Sequence, residues 1–267
     1  MDSVYQYLQL LKLEKEIPSL NYLQRILQHH LLRIPYETFS KFHYFEHLSK
    51  GVPSFDSFVS NFAQKGWGGT CFTLNISFAR LLRFLGFVCH YIRVHPGHLA
   101  LMVVIEGRQY YVDVGYGSPI MKPVELAHKP KHVLHGFGEE IIFTHKKDYI
   151  FIIDRRSNGK SFVKKEIEWI PLDEEGLKKD IQASYKDEDE NITMRRMTAV
   201  RFQGNSCYYL RNNVLKVMTY RNIREYHMRY QNQWLRMVND VFQIDQASLE
   251  NSIHFLEDRG VFLFEDV

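Results

Sequence analysis

An α+β fold is predicted for this chain, with helices first, an antiparallel sheet or barrel in the centre, and a mixed α/β portion at the end. Three observations predict it. Apolar residues recur at helical spacing up to Gly86, the texture then turns β-branched and alternating, and helix and strand patterns both return after Asp173. The expected divisions are 1–86, 87–172 and 173–267, and a chain of 267 residues is long enough for a substantial core.

In the first portion, Val4, Tyr5, Leu8 and Leu11 mark a short helix to about Leu13. Pro18-Ser19 opens a second, capped by Ser19, with Leu20, Leu23, Ile26, Leu27 and Leu31 on one face. His29 and His30 are adjacent, so they do not share a face and read as surface or packing residues. Ile34-Pro35 ends that helix. Pro53-Ser54 opens another, with Phe55, Phe58, Val59 and Phe62 turned inward. Gly66-Trp67-Gly68-Gly69-Thr70-Cys71 then leads into Leu74, Phe78, Leu81, Leu82 and Leu85 at helical spacing. Cys71 therefore falls in a first helical turn, where open backbone N–H groups and the helix dipole favour a thiolate. Taken alone, a buried core cysteine beside a glycine turn is the commoner arrangement.

In the middle portion, Phe87–Val94, Leu99–Ile105 and Gln109–Val114 read as strands, the last two joined by Glu106-Gly107, a good hairpin turn. Further strands are expected over 140–144, 149–154 and 161–169. In the last portion, 173–185 is expected to be helical and Lys186–Glu190 an exposed charged loop. Strands follow over 198–203, 206–210 and 214–219, then helices from Trp234 to Phe242 and Ser248 to Asp258.

Composition narrows the function. A net charge of +3 with no long Lys/Arg block excludes an electrostatic nucleic-acid stripe. Cys71, Cys89 and Cys207 show neither a CxxC pair nor zinc-ligand spacing, so no metal and no disulfide framework are expected. Met1-Asp2 runs into an amphipathic pattern without a basic, apolar leader, and no apolar run approaches a membrane span. A cytoplasmic location with no membrane partner is expected.

A two-residue turn at Glu106-Gly107 sets Ile105 opposite Arg108 and Ala100 opposite Asp113. His98 and Asp113 then share a face as diagonal neighbours, about 7–8 Å apart at the backbone. If the Cys71 helix packs its start against that face, the three residues form a thiol, a base and an orienting carboxylate, which suits acyl transfer.

Four motifs in this order resemble the arylamine N-acetyltransferase family. Gly68-Gly69-Thr70-Cys71-Phe72 is similar to its cysteine motif, and Gly97-His98-Leu99 to its histidine strand. Tyr111-Val112-Asp113-Val114-Gly115-Tyr116-Gly117 is similar to its aspartate strand, and Ile34-Pro35-Tyr36-Glu37 to its Pro-Phe-Glu-Asn element. The resemblance implies a helical bundle, a β-barrel and an α/β lid around a cysteine-protease-like Cys-His-Asp core. It implies catalysis by Cys71, His98 and Asp113, with acetyl-CoA as co-substrate and an arylamine or hydrazine as acceptor in ping-pong order. Tyr36, Glu37 and Phe72 would meet the acceptor, while Gly115, Gly117, Ser118 and Thr193 would meet CoA. A plain tight turn is the alternative for the Gly115–Pro119 loop.

Two departures are visible. The family carries Arg four residues before the cysteine and Glu two after it; here these are Trp67 and Thr73. Replacing both charges together leaves neither stranded, with packing around Trp67 in place of an ion pair. A Cys-His-Asp hydrolase or transamidase, and a CoA-binding family member without turnover, are the alternative functions.

Overall fold

The computed structural model describes residues 2–48, 51–220 and 222–264. Met1, Ser49, Lys50, Arg221 and 265–267 lie outside the described residues. The fold is α+β, as the patterning predicts.

Four helices surround the helix that begins at Cys71: α1 (Ser3–Leu11), α2 (Leu20–Arg33), α3 (Phe39–His47) and α4 (Phe55–Lys65). Ser19 caps α2 by accepting from the Tyr22 N–H, and Asp2 and Ser54 cap α1 and α4 in the same way. His30 is buried, with Nδ1 bonded to the Tyr7 hydroxyl at 2.7 Å, a packing role. The helix α3 is not foreseen, because Thr38 does not cap it. Its hydroxyl instead donates to the Arg196 carbonyl at 3.1 Å. The next helix, α5 (Cys71–Phe84), has Leu74, Ile76, Phe78, Leu81 and Leu82 fully buried. Each such side chain contributes about 1.5–3 kcal/mol, which holds this helix far more firmly than its intrinsic propensity does.

A two-residue strand, β1 (Tyr36–Glu37), precedes α3 and belongs to the last lobe's sheet. The central sheet comprises β2 (Val88–His95), β3 (His98–Ile105), β4 (Arg108–Val112), β5 (Lys131–Gly136), β6 (Glu139–Lys147), β7 (Ile150–Ser157) and β8 (Lys160–Leu172). Its order is β4-β3-β2-β8-β7-β6-β5, all antiparallel, so it curls into a half-barrel that stays open between its two edge strands. The hairpin register is the expected one, Ile105 opposite Arg108, with Glu106 and Gly107 both at positive φ.

The chain closes with α6 (Lys178–Ser184), α7 (Ile192–Arg195), a sheet containing β9 (Thr198–Gln203), β10 (Ser206–Arg211), β11 (Val214–Met218) and β12 (Ile223–His227), and helices α8 (Gln231–Phe242) and α9 (Gln246–Glu257). The helix expected over 173–185 is confined to α6 after a short 3-10 turn. Strand β1 pairs with β9, Tyr36 opposite Val200, so this sheet reaches back to the first lobe beside Cys71.

The start of α5 meets the His98 and Asp113 side as expected, at the strand ends. The body of α5 does not cover the face that carries His98. Leu74, Phe78, Leu81 and Leu82 pack with Leu99, Leu101, Val103 and Val112, whereas Ala100, Met102 and Tyr111 face the inside of the half-barrel. His98 is the first residue of β3, and Asp113 lies just past the end of β4. The residues meet because all three lie at the same end of the sheet, where the α5 N-terminus is level with the strand ends.

Candidate active site

Asp113 is fully buried and accepts hydrogen bonds from four groups. His98 Nε2 lies 2.7 Å from Oδ2 and the Tyr111 hydroxyl donates to the same oxygen at 2.8 Å. Asn75 Nδ2 and the Gly115 N–H donate to Oδ1 at 3.0 and 2.9 Å. Burial pushes the carboxyl up, but the His98 charge and these donors outweigh it and hold the group below its ordinary range.

With Nε2 committed to Asp113, Nδ1 is the imidazole nitrogen left to face the thiol, whose Sγ lies 4.0 Å from the Gly97 carbonyl oxygen, and the His98 charge acts on Cys71. Burial opposes the protonated ring, yet the Asp113 charge and hydrogen bond, then the Cys71 thiolate, push His98 up to about 9. Burial likewise opposes the thiolate. His98, the charge of Lys41 and the Leu99 N–H together bring Cys71 below its ordinary value. The shifts run towards each other, so the pair favours thiolate and imidazolium, a nucleophile with its proton already on the base.

Backbone packing sets this geometry. A Cβ on Gly115 would lie 2.6 Å from the Cys71 Cα and 2.7 Å from Asn75 Nδ2, so only glycine lets the loop after Asp113 touch the start of α5. Gly69, at φ +137°, faces the Thr73 side chain with the same closeness. Thr70 makes no side-chain cap, so its hydroxyl does not occupy the first N–H groups of α5.

A cavity of about 790 Å³ opens onto Cys71. Of the residues expected from the sequence, Tyr36, Phe72, Gly115, Gly117 and Thr193 line it along with His98. Glu37 and Ser118 do not; both are buried behind its wall. The Ser118 hydroxyl donates to Glu139 at 3.1 Å. Glu139 pairs with Arg155 at 2.7 Å, and Arg155 holds the Tyr116 and Gly117 carbonyls at 3.0 and 3.1 Å. The Thr193 hydroxyl is engaged, accepting from Lys41 at 2.6 Å and donating to Asn191 at 2.8 Å. Arg195 is tied to Asp187 and Asp189 and Lys216 to Glu225, while Arg196 and Arg211 line the cavity and give it a basic wall suited to a polyanion.

Glu37 accepts from the Ser40 N–H and hydroxyl at 2.8 and 2.6 Å and has no cationic partner among the described residues. Burial raises it to about 7, against the hydrogen bonds of Ser40 and of the Phe39 and Gly68 N–H groups. Trp67 is buried, donates from Nε1 to the Ser248 hydroxyl at 2.8 Å, and meets Tyr44 edge-on at 5.7 Å. Thr73 is buried beside Gly69.

Three participants escape the sequence reading. Asn75 lies one turn after Cys71, a spacing that places both on one helix face and could have exposed it. Its amide also donates to the Leu99 carbonyl at 2.7 Å and accepts from the Val114 N–H at 3.1 Å, tying α5, β3 and the aspartate loop together. Tyr111 is two residues before Asp113 on the same face, another readable spacing. Lys41 carries no such signal, since its partners lie far along the chain.

A family model described as N-acetyltransferase matches residues 19–250, most of the chain. The chain belongs to the arylamine N-acetyltransferase family, whose members are acyltransferases. Solved structures share its fold. An N-arylamine acetyltransferase from Mycobacterium smegmatis matches with a TM-score of 0.80 at 20% identity, covering 100% of both chains. The arylamine N-acetyltransferase from M. tuberculosis matches at 0.77 and 19% identity, over 92% of this chain and 95% of that one. A Bacillus cereus arylamine N-acetyltransferase described as having a unique Cys-His-Glu catalytic triad matches at 0.75 and 17% identity, over 91% and 99%. An uncharacterized acetyltransferase of Acanthamoeba polyphaga mimivirus is 33% identical over 101 residues, 33% of this chain and 48% of that protein. The chain thus spans about half the length of that curated relative. Among the described residues no helix is long and apolar enough to cross a membrane, and no group of three or more His, Cys, Asp or Glu is arranged to hold a metal ion.

Proposed function

We propose that this protein transfers an acetyl group from acetyl-CoA to an arylamine or hydrazine through a thioester on Cys71. The observation that carries the reading is that Cys71 and His98 line one cavity with His98 Nε2 held 2.7 Å from the buried Asp113 carboxylate, and the shifts of the thiol and the imidazole towards each other support it. In the first half-reaction the Cys71 sulfur attacks the acetyl carbonyl carbon. The oxyanion meets the first N–H groups of α5, and the C–S bond to CoA breaks as His98 returns its proton to the leaving sulfur. In the second, the amine nitrogen attacks the new thioester, His98 takes the amine proton, and the Cys71 thiolate leaves.

Gly115, Gly117 and Thr193 are the proposed CoA contacts, with the basic wall around Arg196 and Arg211 receiving phosphates. Tyr36 and Phe72 are proposed to flank the acceptor, while Glu37 and Ser118 support the wall from behind. The lobes are taken to divide near residues 86 and 172. Location in the cytoplasm fits the two buried thiols, Cys89 and Cys207, which stay free.

Acetyl-CoA alone should add about 42 Da to Cys71, one acetyl replacing one proton, and an aromatic amine should discharge it as the amide. Absence of the adduct on Cys71 in folded protein would rule the thioester out. Rapid discharge to acetate with no amine present would favour the hydrolase reading, and tight CoA binding without an adduct the non-turnover one.

A further inference from the structure

Lys41 is 2% exposed, a degree of burial that lysine rarely reaches without a carboxylate. It has none among the described residues. Its ammonium donates to the Ser184 carbonyl at 2.7 Å and the Thr193 hydroxyl at 2.6 Å, and sits 5.1 Å from the Tyr185 ring centroid. An ammonium has three N–H groups, so one is left without an oxygen partner. The residue lines the Cys71 cavity, and its field reaches the sulfur. Lys165, the other lysine whose charge interacts with that sulfur, is half-exposed and donates to the Pro96 carbonyl.

We propose that Lys41 is the counter-cation for a carboxylate carried by one of the two substrates, and so determines specificity. The proposal rests on the acyl-transfer reading. In the resting enzyme the Cys71 thiolate is paired with the His98 imidazolium, and the buried ammonium shares only part of its field. Acylation makes the sulfur neutral and leaves the ammonium as a buried charge with no anion, an unfavourable state. A carboxylate entering the same cavity restores the balance and accepts the unused N–H, a charge-assisted bond in a poorly solvated site. The carboxylate has two possible sources, the ring of the acceptor or the tail of the acyl group, and the chemistry at Lys41 is the same for both.

The test compares 4-aminobenzoate with its methyl ester as acceptors, and malonyl-CoA with acetyl-CoA as donors, in wild type, Lys41→Met and Lys41→Arg. Wild type should prefer the anionic member of one pair by about tenfold or more in kcat/KM. Lys41→Met should collapse that ratio towards one, and Lys41→Arg should keep part of it. The pair showing the effect identifies the source. A merely structural role would lower both members alike and leave the ratio in place. Ratios that do not respond to Lys41→Met, or a wild type indifferent to charge in both pairs, would overturn the proposal.

If no acetyl adduct forms on wild-type Cys71, the acyl-transfer reading fails on its own account, and ligand-induced melting shifts of wild type decide the anion site. A larger shift with benzoate than with benzamide supports the carboxylate site; equal shifts overturn it. The same melting comparison decides the matter if Lys41→Met does not fold.

Discussion

Asp113 and Glu37 are both buried to the same extent, and their carboxyls move in opposite directions. Asp113 is held low and Glu37 is lifted to about 7. Burial penalises the charge of each, so the difference lies in what surrounds them. Asp113 faces an imidazolium and three further donors, whereas Glu37 has only the Ser40 groups and backbone N–H groups. A buried acid stays ionised in this molecule where a cation is built against it.

The comparison breaks most severely at its charged end. Asp113→Asn keeps the shape and removes the charge, and should lower kcat/KM on the order of 10³-fold or more. The pH dependence of Cys71 alkylation should move up towards that of a free thiol, which iodoacetamide rates in a variant lacking Cys89 and Cys207 would report. In wild type, His98 is raised from its ordinary value to about 9. Its contribution to stability is therefore complete below about 6.5 and is lost as pH rises through about 9. The Asn variant should lack that slope.

Glu37→Gln tests the other end. Because the folded value is raised, wild type is penalised progressively as pH climbs from about 4.5 through about 7. The variant should match wild type near the lower limit and exceed it above pH 7, by about 3 kcal/mol at most. Chemical denaturation at both ends of that range measures the gap; a gap independent of pH would mean that folding does not shift the Glu37 carboxyl.

These two sites also differ in how legible they were. The Asp113 side could be read because local rules place it: helical spacing defines α5, and a two-residue turn fixes the register that brings Asp113 to the His98 face. The Glu37 side could not. Helix α3 is short, aromatic and without a side-chain cap, and Lys41 on it is satisfied by Ser184 and Thr193 at sequence separations of 143 and 152. The strand β12 was hidden for a related reason. It is an edge strand whose five residues are all exposed, so no alternation marks it. The side of the sheet to which α5 would dock was equally unreadable, since both faces of β3 are apolar and buried over most of its length.

Smaller effects sharpen the picture. Asn75→Ala strips a donor from Asp113 and the partner of two buried backbone groups, and should cost about 1–3 kcal/mol of stability, with kcat falling more than KM changes. Trp67→Phe removes the bond to Ser248 and part of the buried ring that Lys65 and Tyr44 meet, and should cost about 1–3 kcal/mol, seen as a drop in melting temperature. A much larger loss there would mean that the indole carries more than packing and one hydrogen bond.

The bare backbone at Gly115 has one more consequence. Because main chain touches main chain between the aspartate loop and the α5 start, the distance from sulfur to imidazole is insulated from rotamer changes in the surrounding aromatic residues. Uncharged parts of the cavity wall can therefore be remodelled by substitution without parting the aspartate loop from the start of α5.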